Sequence, residues 1–406
     1  LMRKVLSANT TYIRALGEQD FEEQQLISTA DEFNTFLTKR LMWVRSANAV
    51  GAKSVQLLPE QISAFLAPDD WINTTAAFIE RLFAAPVLAL VLLISIILLW
   101  QARAIKKAVR ATGRNVGNAL TDSYLDTVKA VGLSFLLILP WPLIMGLGGW
   151  ELNQAVYSTE GSRAIGKGVA ALSTFLMFLL SARVICLEGG IAHAHFRWPA
   201  KLVAGVRQGL NRLLITFTIP AFVLVITVEQ NPANMGSELS RFMFVIATIA
   251  LAHFLIKLLK PGTGLLENLA KEGDARAGLS ILWLTIGVGI PAVLIVAALA
   301  GYLYSARTLL QVLVDTFWLL LGLLFAREMI SRWLVVLRQR LVHQARVAEW
   351  KAAREKLEDN GEDEDLPPPA DEPMVDVTNL DADARNLLKM SLIIALIIGL
   401  GAIWSP

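Results

Sequence analysis

His193 and His195, in Ala192-His193-Ala194-His195-Phe196, are the nearest approach to a metal-ligand cluster in the chain. Alternate residues on a helix point nearly opposite ways, so the pair is a poor metal site and reads as solvated beside a membrane. Gly161 through Gly166-Lys167 approaches a phosphate-binding loop, yet Gly168 stands where a magnesium-binding hydroxyl is required and no strand precedes it. Nucleotide-driven chemistry has no support there, and Gly146, Gly148 and Gly149 read as a helix end. Cys186 is the single cysteine and lies in an apolar run, so it forms no intrachain disulfide and reads as a small core hydrophobe. No catalytic, cofactor-binding or metal-binding set emerges, and no enzyme is expected.

Ionisable groups inside apolar runs carry the remaining chemistry, because a charge in hydrocarbon is costly and is kept for a partner or a pathway. Asp315, in Val312-Leu313-Val314-Asp315-Thr316-Phe317, is the clearest, with Gln311 one turn away on the same helix face. His253 and Arg183 are the others, and Arg183 lies close enough to a span end to snorkel. For Asp315 two roles stand open: an interhelical hydrogen bond, or a direct part in function.

These residues need a membrane to hold them. The 406-residue chain is 55% hydrophobic and only 18% charged, against roughly 25% charged in soluble domains. Eight apolar stretches run roughly over 83–100, 129–147, 168–187, 213–228, 242–259, 279–299, 309–326 and 384–403. Each is near the ~20 residues a helix needs to cross ~30 Å of hydrocarbon. They predict an all-α polytopic bundle of about eight spans in four hairpins, since helices satisfy their own backbone in lipid.

Net charge is only +2, but the cations are segregated. Arg103, Lys106, Lys107, Arg110 and Arg114 follow the first span; Arg197, Lys201, Arg207 and Arg212 follow the third. Lys257, Lys260, Lys271 and Arg276 follow the fifth, and a run from Arg327 through Arg332 to Lys356 follows the seventh. The intervening loops are poor in cations, so every second loop is expected to be cytoplasmic and both ends to face outward. Arg103, Lys106, Lys107, Arg110, Arg197 and Lys201 are candidate contacts for anionic lipid headgroups, at about 1 kcal/mol per cation. Topology signal alone would also place them.

Four segments are expected: 1–80, a helical region outside the bilayer; 81–356, spans one to seven; 357–383, an acidic linker with Glu362–Asp365 and Pro367–Pro369; and 384–406, span eight. In the first, Leu26, Phe33, Leu37, Leu41 and Val44 recur at helical spacing. Ala67-Pro68-Asp69-Asp70-Trp71 reads as a turn with an interfacial tryptophan. The outward-returning spans carry Pro140 with Pro142, Pro220 and Pro291, candidate hinges because proline removes a helical hydrogen bond. Leu1 falls in mid-pattern and Pro406 just past a span, so the chain reads as a fragment.

The stretch Phe33-Asn34-Thr35-Phe36-Leu37-Thr38-Lys39-Arg40-Leu41-Met42-Trp43-Val44-Arg45-Ser46 resembles the membrane-proximal end of the periplasmic domain in large, MscK-like members of the MscS mechanosensitive channel superfamily. The likeness continues through Pro68-Asp69-Asp70-Trp71 and returns at Asn386-Leu387-Leu388-Lys389-Met390 and Gly401-Ala402-Ile403-Trp404. It implies a homo-oligomer, heptameric if it follows the family, in the bacterial inner membrane with its N-terminal region in the periplasm. The partners it implies are lipids and further copies, with no nucleic acid and no cofactor. It also implies a pore built from spans absent here, around which these helices sense tension and relieve osmotic stress. Eight spans that start outside finish outside, where such a core would begin. Two other classes stay open: a secondary transporter or lipid exporter, which would want inverted repeats around buried charges, and a non-conducting scaffold.

Overall fold

The computed structural model describes residues 2–41, 44–116, 122–154, 159–230, 237–259, 275–359 and 382–405. Every regular element among them is helical: α1 (Met2–Leu41), α2 (Ala52–Phe65), α3 (Pro68–Ala84), α4 (Pro86–Thr112), α5 (Tyr124–Ile138), α6 (Pro140–Gln154), α7 (Glu160–Ile185), α8 (Ala200–Gln230), α9 (Glu238–Leu259), α10 (Ala275–Ala300), α11 (Leu303–Asp359) and α12 (Ala382–Trp404). A 3-10 turn, Gly113–Asn115, and a π-turn, Ile191–His195, complete the described elements.

Local signals set the helix starts. Pro68 and Pro86 open α3 and α4 at the first helical position, where the missing N–H costs nothing. Ser123 caps α5 and Thr159 caps α7, each side chain accepting a hydrogen bond from a first-turn amide. The expected turn at 67–71 is therefore confined to Leu66 and Ala67, and Asp69 and Asp70 occupy the first turn of α3, where helix polarity favours acids. Residue 85 adopts an extended conformation ahead of Pro86, so Phe83 belongs to α3 and the first span starts at Pro86.

Among the described residues, six helices are long and apolar enough to cross a membrane, and α5 with α6 makes a seventh if that bent pair is one span. The stretch read as one span over 129–147 is thus two helices meeting at 44°. The break falls at Leu139–Pro140, where Pro140 lacks the N–H that would continue α5. The stretch read over 279–299 coincides with the 26-residue α10. Of the acidic linker expected at 357–383, residues 357–359 end α11 and 382–383 open α12, and residues 360–381 lie outside the described residues.

Chain neighbours pack on one another from α6 through α12, and α4 lies against α5 and α6. The core is shared by α7 through α11, with Leu179, Leu210, Phe217, Phe244, Leu251, Leu294 and Leu310 buried in one cluster. Phe175 and Phe217 stack at 4.2 Å between ring centroids. Glycines bring α6 and α7 together: a Cβ on Gly149 would strike the Gly166 carbonyl, and one on Gly166 would meet Leu152. Gly148 faces the Phe78 ring and Gly168 faces Ile226. These glycines are seams inside α6 and α7, so 146–149 are not a helix end. Outside the core, α12 docks on α11 through Gly399 against Leu319 and Trp404 Nε1 donating to Thr316 Oγ1 at 3.2 Å.

Candidate functional site

At the basic end of the bundle, Arg103, Lys106, Lys107 and Arg110 stand on the continuous helix α4, where sequence reading placed them in a loop. A helix holds them in register, so Lys106 lies in the electrostatic field of Arg103, Arg110, Arg183 of α7 and Arg207 of α8. Arg110 Nε donates to the Glu188 carbonyl at 3.2 Å, Arg207 reaches the Glu188 carboxylate at 3.8 Å, and Arg183 Nε donates to Asn211 Oδ1 at 2.6 Å. Arg197, with a positive φ of 56°, and Lys201 are exposed at the entry to α8. The fold therefore draws cations from three helices into one field that sequence spacing did not reveal.

Beneath this surface is a buried polar centre. Arg332 of α11 pairs with both carboxylate oxygens of Asp122, and the two residues are 6% exposed each. Arg332 is thus not one of the solvated loop cations, because α11 runs unbroken past it and presses it against the start of α5. His195, 2% exposed, lies with Nε2 3.2 Å from Thr112 Oγ1 and Nδ1 3.1 Å from Thr127 Oγ1. Thr112 already donates to the Val109 carbonyl at 2.7 Å, so Nε2–H donates to Thr112 and Nδ1 accepts from Thr127. Burial, then the Arg332 charge, pushes the imidazole down to about 4, against the pull of Asp122 and Asp126. The expected solvated pair is therefore divided, His193 exposed and His195 buried, because the π-turn aims His195 inward.

The opposite end carries a backbone strap. Ser46 and Ala47 amides donate to the Gly301 carbonyl at 3.0 and 3.1 Å, and the Val50 amide donates to Leu299 at 3.0 Å. Arg45 Nε donates to the Ala300 carbonyl at 3.0 Å. Buried Arg241, in the first turn of α9, donates to the Asn48 carbonyl at 2.8 Å and pairs with Glu238 at 3.3 Å. Gly301, at φ +104°, turns α10 into α11, and a side chain there would strike Ala47. Trp71, read as an interfacial anchor, ties α3 to α2: its Nε1 donates to the Phe65 carbonyl at 2.9 Å and its ring meets Phe65 edge-on.

Within the apolar slab, Gln311 Nε2 donates to Asp315 at 3.2 Å, a contact along α11 itself. The two residues, with Arg307, face a cavity of about 160 Å³ against α7 and α8. Of the four prolines, Pro140 opens α6 at the 44° bend and buried Pro142 follows it, whereas Pro220 and Pro291 sit inside unbroken helices.

A family model described as mechanosensitive ion channel inner membrane domain 1 matches residues 85–406. The chain belongs to that family. It is an MscK-like, multi-pass member of the MscS mechanosensitive channels. Similar proteins include the miniconductance mechanosensitive channel MscM of Escherichia coli K12, 24% identical over 417 residues that cover 100% of this chain and 37% of that channel. The mechanosensitive channel MscK of the same organism is 21% identical over 389 residues, covering 94% of this chain and 33% of that channel. The chain thus spans about a third of the length of these relatives. No solved structure matches it.

Proposed function

We propose that this chain is the tension-sensing scaffold of a mechanosensitive channel that opens under membrane tension to relieve hypoosmotic stress. The observation that carries the reading is the family match across 85–406, which covers the whole helical array from α4 to α12. Lateral tension favours whichever state occupies more area in the bilayer plane, and it shifts the equilibrium only through that difference. Pro140 and Pro142 at the bend, with Pro220 and Pro291 farther along, are the positions where helices yield. Arg103, Lys106, Lys107, Arg110, Arg197 and Lys201 grip anionic headgroups of the inner leaflet. The strap end faces the periplasm, and the exposed α12 face of Ile393, Ile394, Ile397 and Ile398 meets lipid or the rest of a heptameric assembly around the pore.

The test is patch recording on the full-length protein in membranes cleared of other mechanosensitive channels. Currents that appear only under suction are expected, and Pro140→Ala should move their threshold. A well-folded, membrane-inserted protein that stays silent up to patch rupture sinks the proposal.

A further inference from the structure

We infer that α7, α8, α9 and α11 enclose a binding site for one anionic phospholipid, with its headgroup on Arg212 and Lys257 and an acyl chain between the helices. Two adjoining spaces point to it. The first, about 410 Å³, opens between α8 and α9 and presents Arg212, Lys257, Gln208 and His253. The second, about 240 Å³, is lined only by apolar side chains and cysteine, from Phe175 of α7 to Leu324 of α11. Leu202, Val206, Phe254 and Leu258 line both, so the polar and apolar spaces adjoin across a shared wall of four side chains.

The chemistry of each half selects the occupant. Water needs two to four polar partners to enter a cavity, and the apolar half offers none, so an acyl chain suits it better than water. No acidic side chain lines the polar half among the described residues. Neither Arg212 nor Lys257 pairs with a carboxylate among those residues, unlike Lys167, Arg207, Arg241 and Arg332. Both cations are exposed at the edge of the apolar slab, Arg212 just before the apolar run of α8 and Lys257 at the end of α9. That is the depth of a phosphate whose tail enters the bundle. Glycine keeps the mouth open: Gly205 meets nothing, and a Cβ on Gly209 would press on the Phe254 ring at 3.0 Å. These residues are distinct from the six headgroup candidates on α4 and at the entry to α8, and the inference holds whether or not the protein gates a pore.

The intact chain, purified in neutral detergent and stripped of lipid, is titrated with dioleoylphosphatidylglycerol and followed by native mass spectrometry. One tight adduct per chain is expected, with dioleoylphosphatidylcholine binding at least tenfold more weakly and glycerol phosphate failing to compete. Arg212→Gln with Lys257→Gln, both at exposed positions that folding tolerates, should weaken the adduct about thirtyfold. Val206→Phe keeps both cations but thickens the wall that the two spaces share, and should weaken it too while circular dichroism stays unchanged. Equal binding of the two lipids, or full affinity in the double glutamine variant, overturns the proposal. Competition by glycerol phosphate would show an anion site without a lipid tail, which overturns it equally.

Discussion

Arg332 and Asp122 lie 210 residues apart and meet as a buried ion pair that pins the middle of α11 to the start of α5. Taking one partner away leaves an uncompensated charge in a buried site. Arg332→Leu or Asp122→Leu should each cost about 3–5 kcal/mol, while the double leucine variant recovers most of that loss. Thermal unfolding of the purified protein in detergent gives the cycle, and singles that match wild type would show the pair to be idle.

His195 sets a pH dependence. Its imidazole is held near 4 in the folded protein, against about 6.5 in an unfolded chain. Between those values the unfolded chain binds the extra proton, so stability is full above about 6.5 and falls as pH drops toward 4. The loss should be on the order of 3 kcal/mol. His195→Gln should flatten this part of the stability profile, measured as melting temperature from pH 7 to 4. Parallel profiles for the two proteins would remove His195 from the account.

Gly149 is where α6 touches α7 backbone to backbone. Gly149→Ala should destabilise by about 1–3 kcal/mol, because a carbonyl cannot rotate away as a side chain would. Gly132→Ala on α5, where a Cβ meets nothing, should instead stabilise by about 0.5–1 kcal/mol. Equal effects of the two substitutions in the same unfolding assay would contradict a packed seam.

Gly301→Ala attacks the strap twice, through a φ of +104° that L-residues resist and through contact with Ala47. Hydrogen exchange should quicken at the Ser46, Ala47 and Val50 amides while the α7–α9 core keeps its protection. Unchanged exchange at those three amides counts against the strap.

Span positions were legible because membrane helices announce themselves in one dimension, by length and uniform apolarity. Pro140 likewise marked the bend, since a missing N–H acts locally. His195 was misread because a π-turn changes which way a side chain points, and nothing in Ala192-His193-Ala194 signals that turn. Arg332 was counted with its basic neighbours, for a cation next to other cations looks solvated until the fold supplies Asp122. The glycines of α6 were visible but their partners were not, because a seam is a relation between two helices. Arg212 and Lys257 were likewise read as topology signal: the cavities that set them apart exist only between helices.

The 57 residues of α11 form one unbroken helix, about 85 Å long at 1.5 Å per residue and nearly three times the ~30 Å hydrocarbon thickness. Such a rod is a lever. A tilt of about 10° around Leu320 carries Asp359 sideways by about 10 Å, so a change in the slab too small to break any helix contact becomes a displacement of atomic-group size at the basic end. Asp122 grips this rod close to the pivot, at Arg332, where the movement is least and the grip most easily survives it.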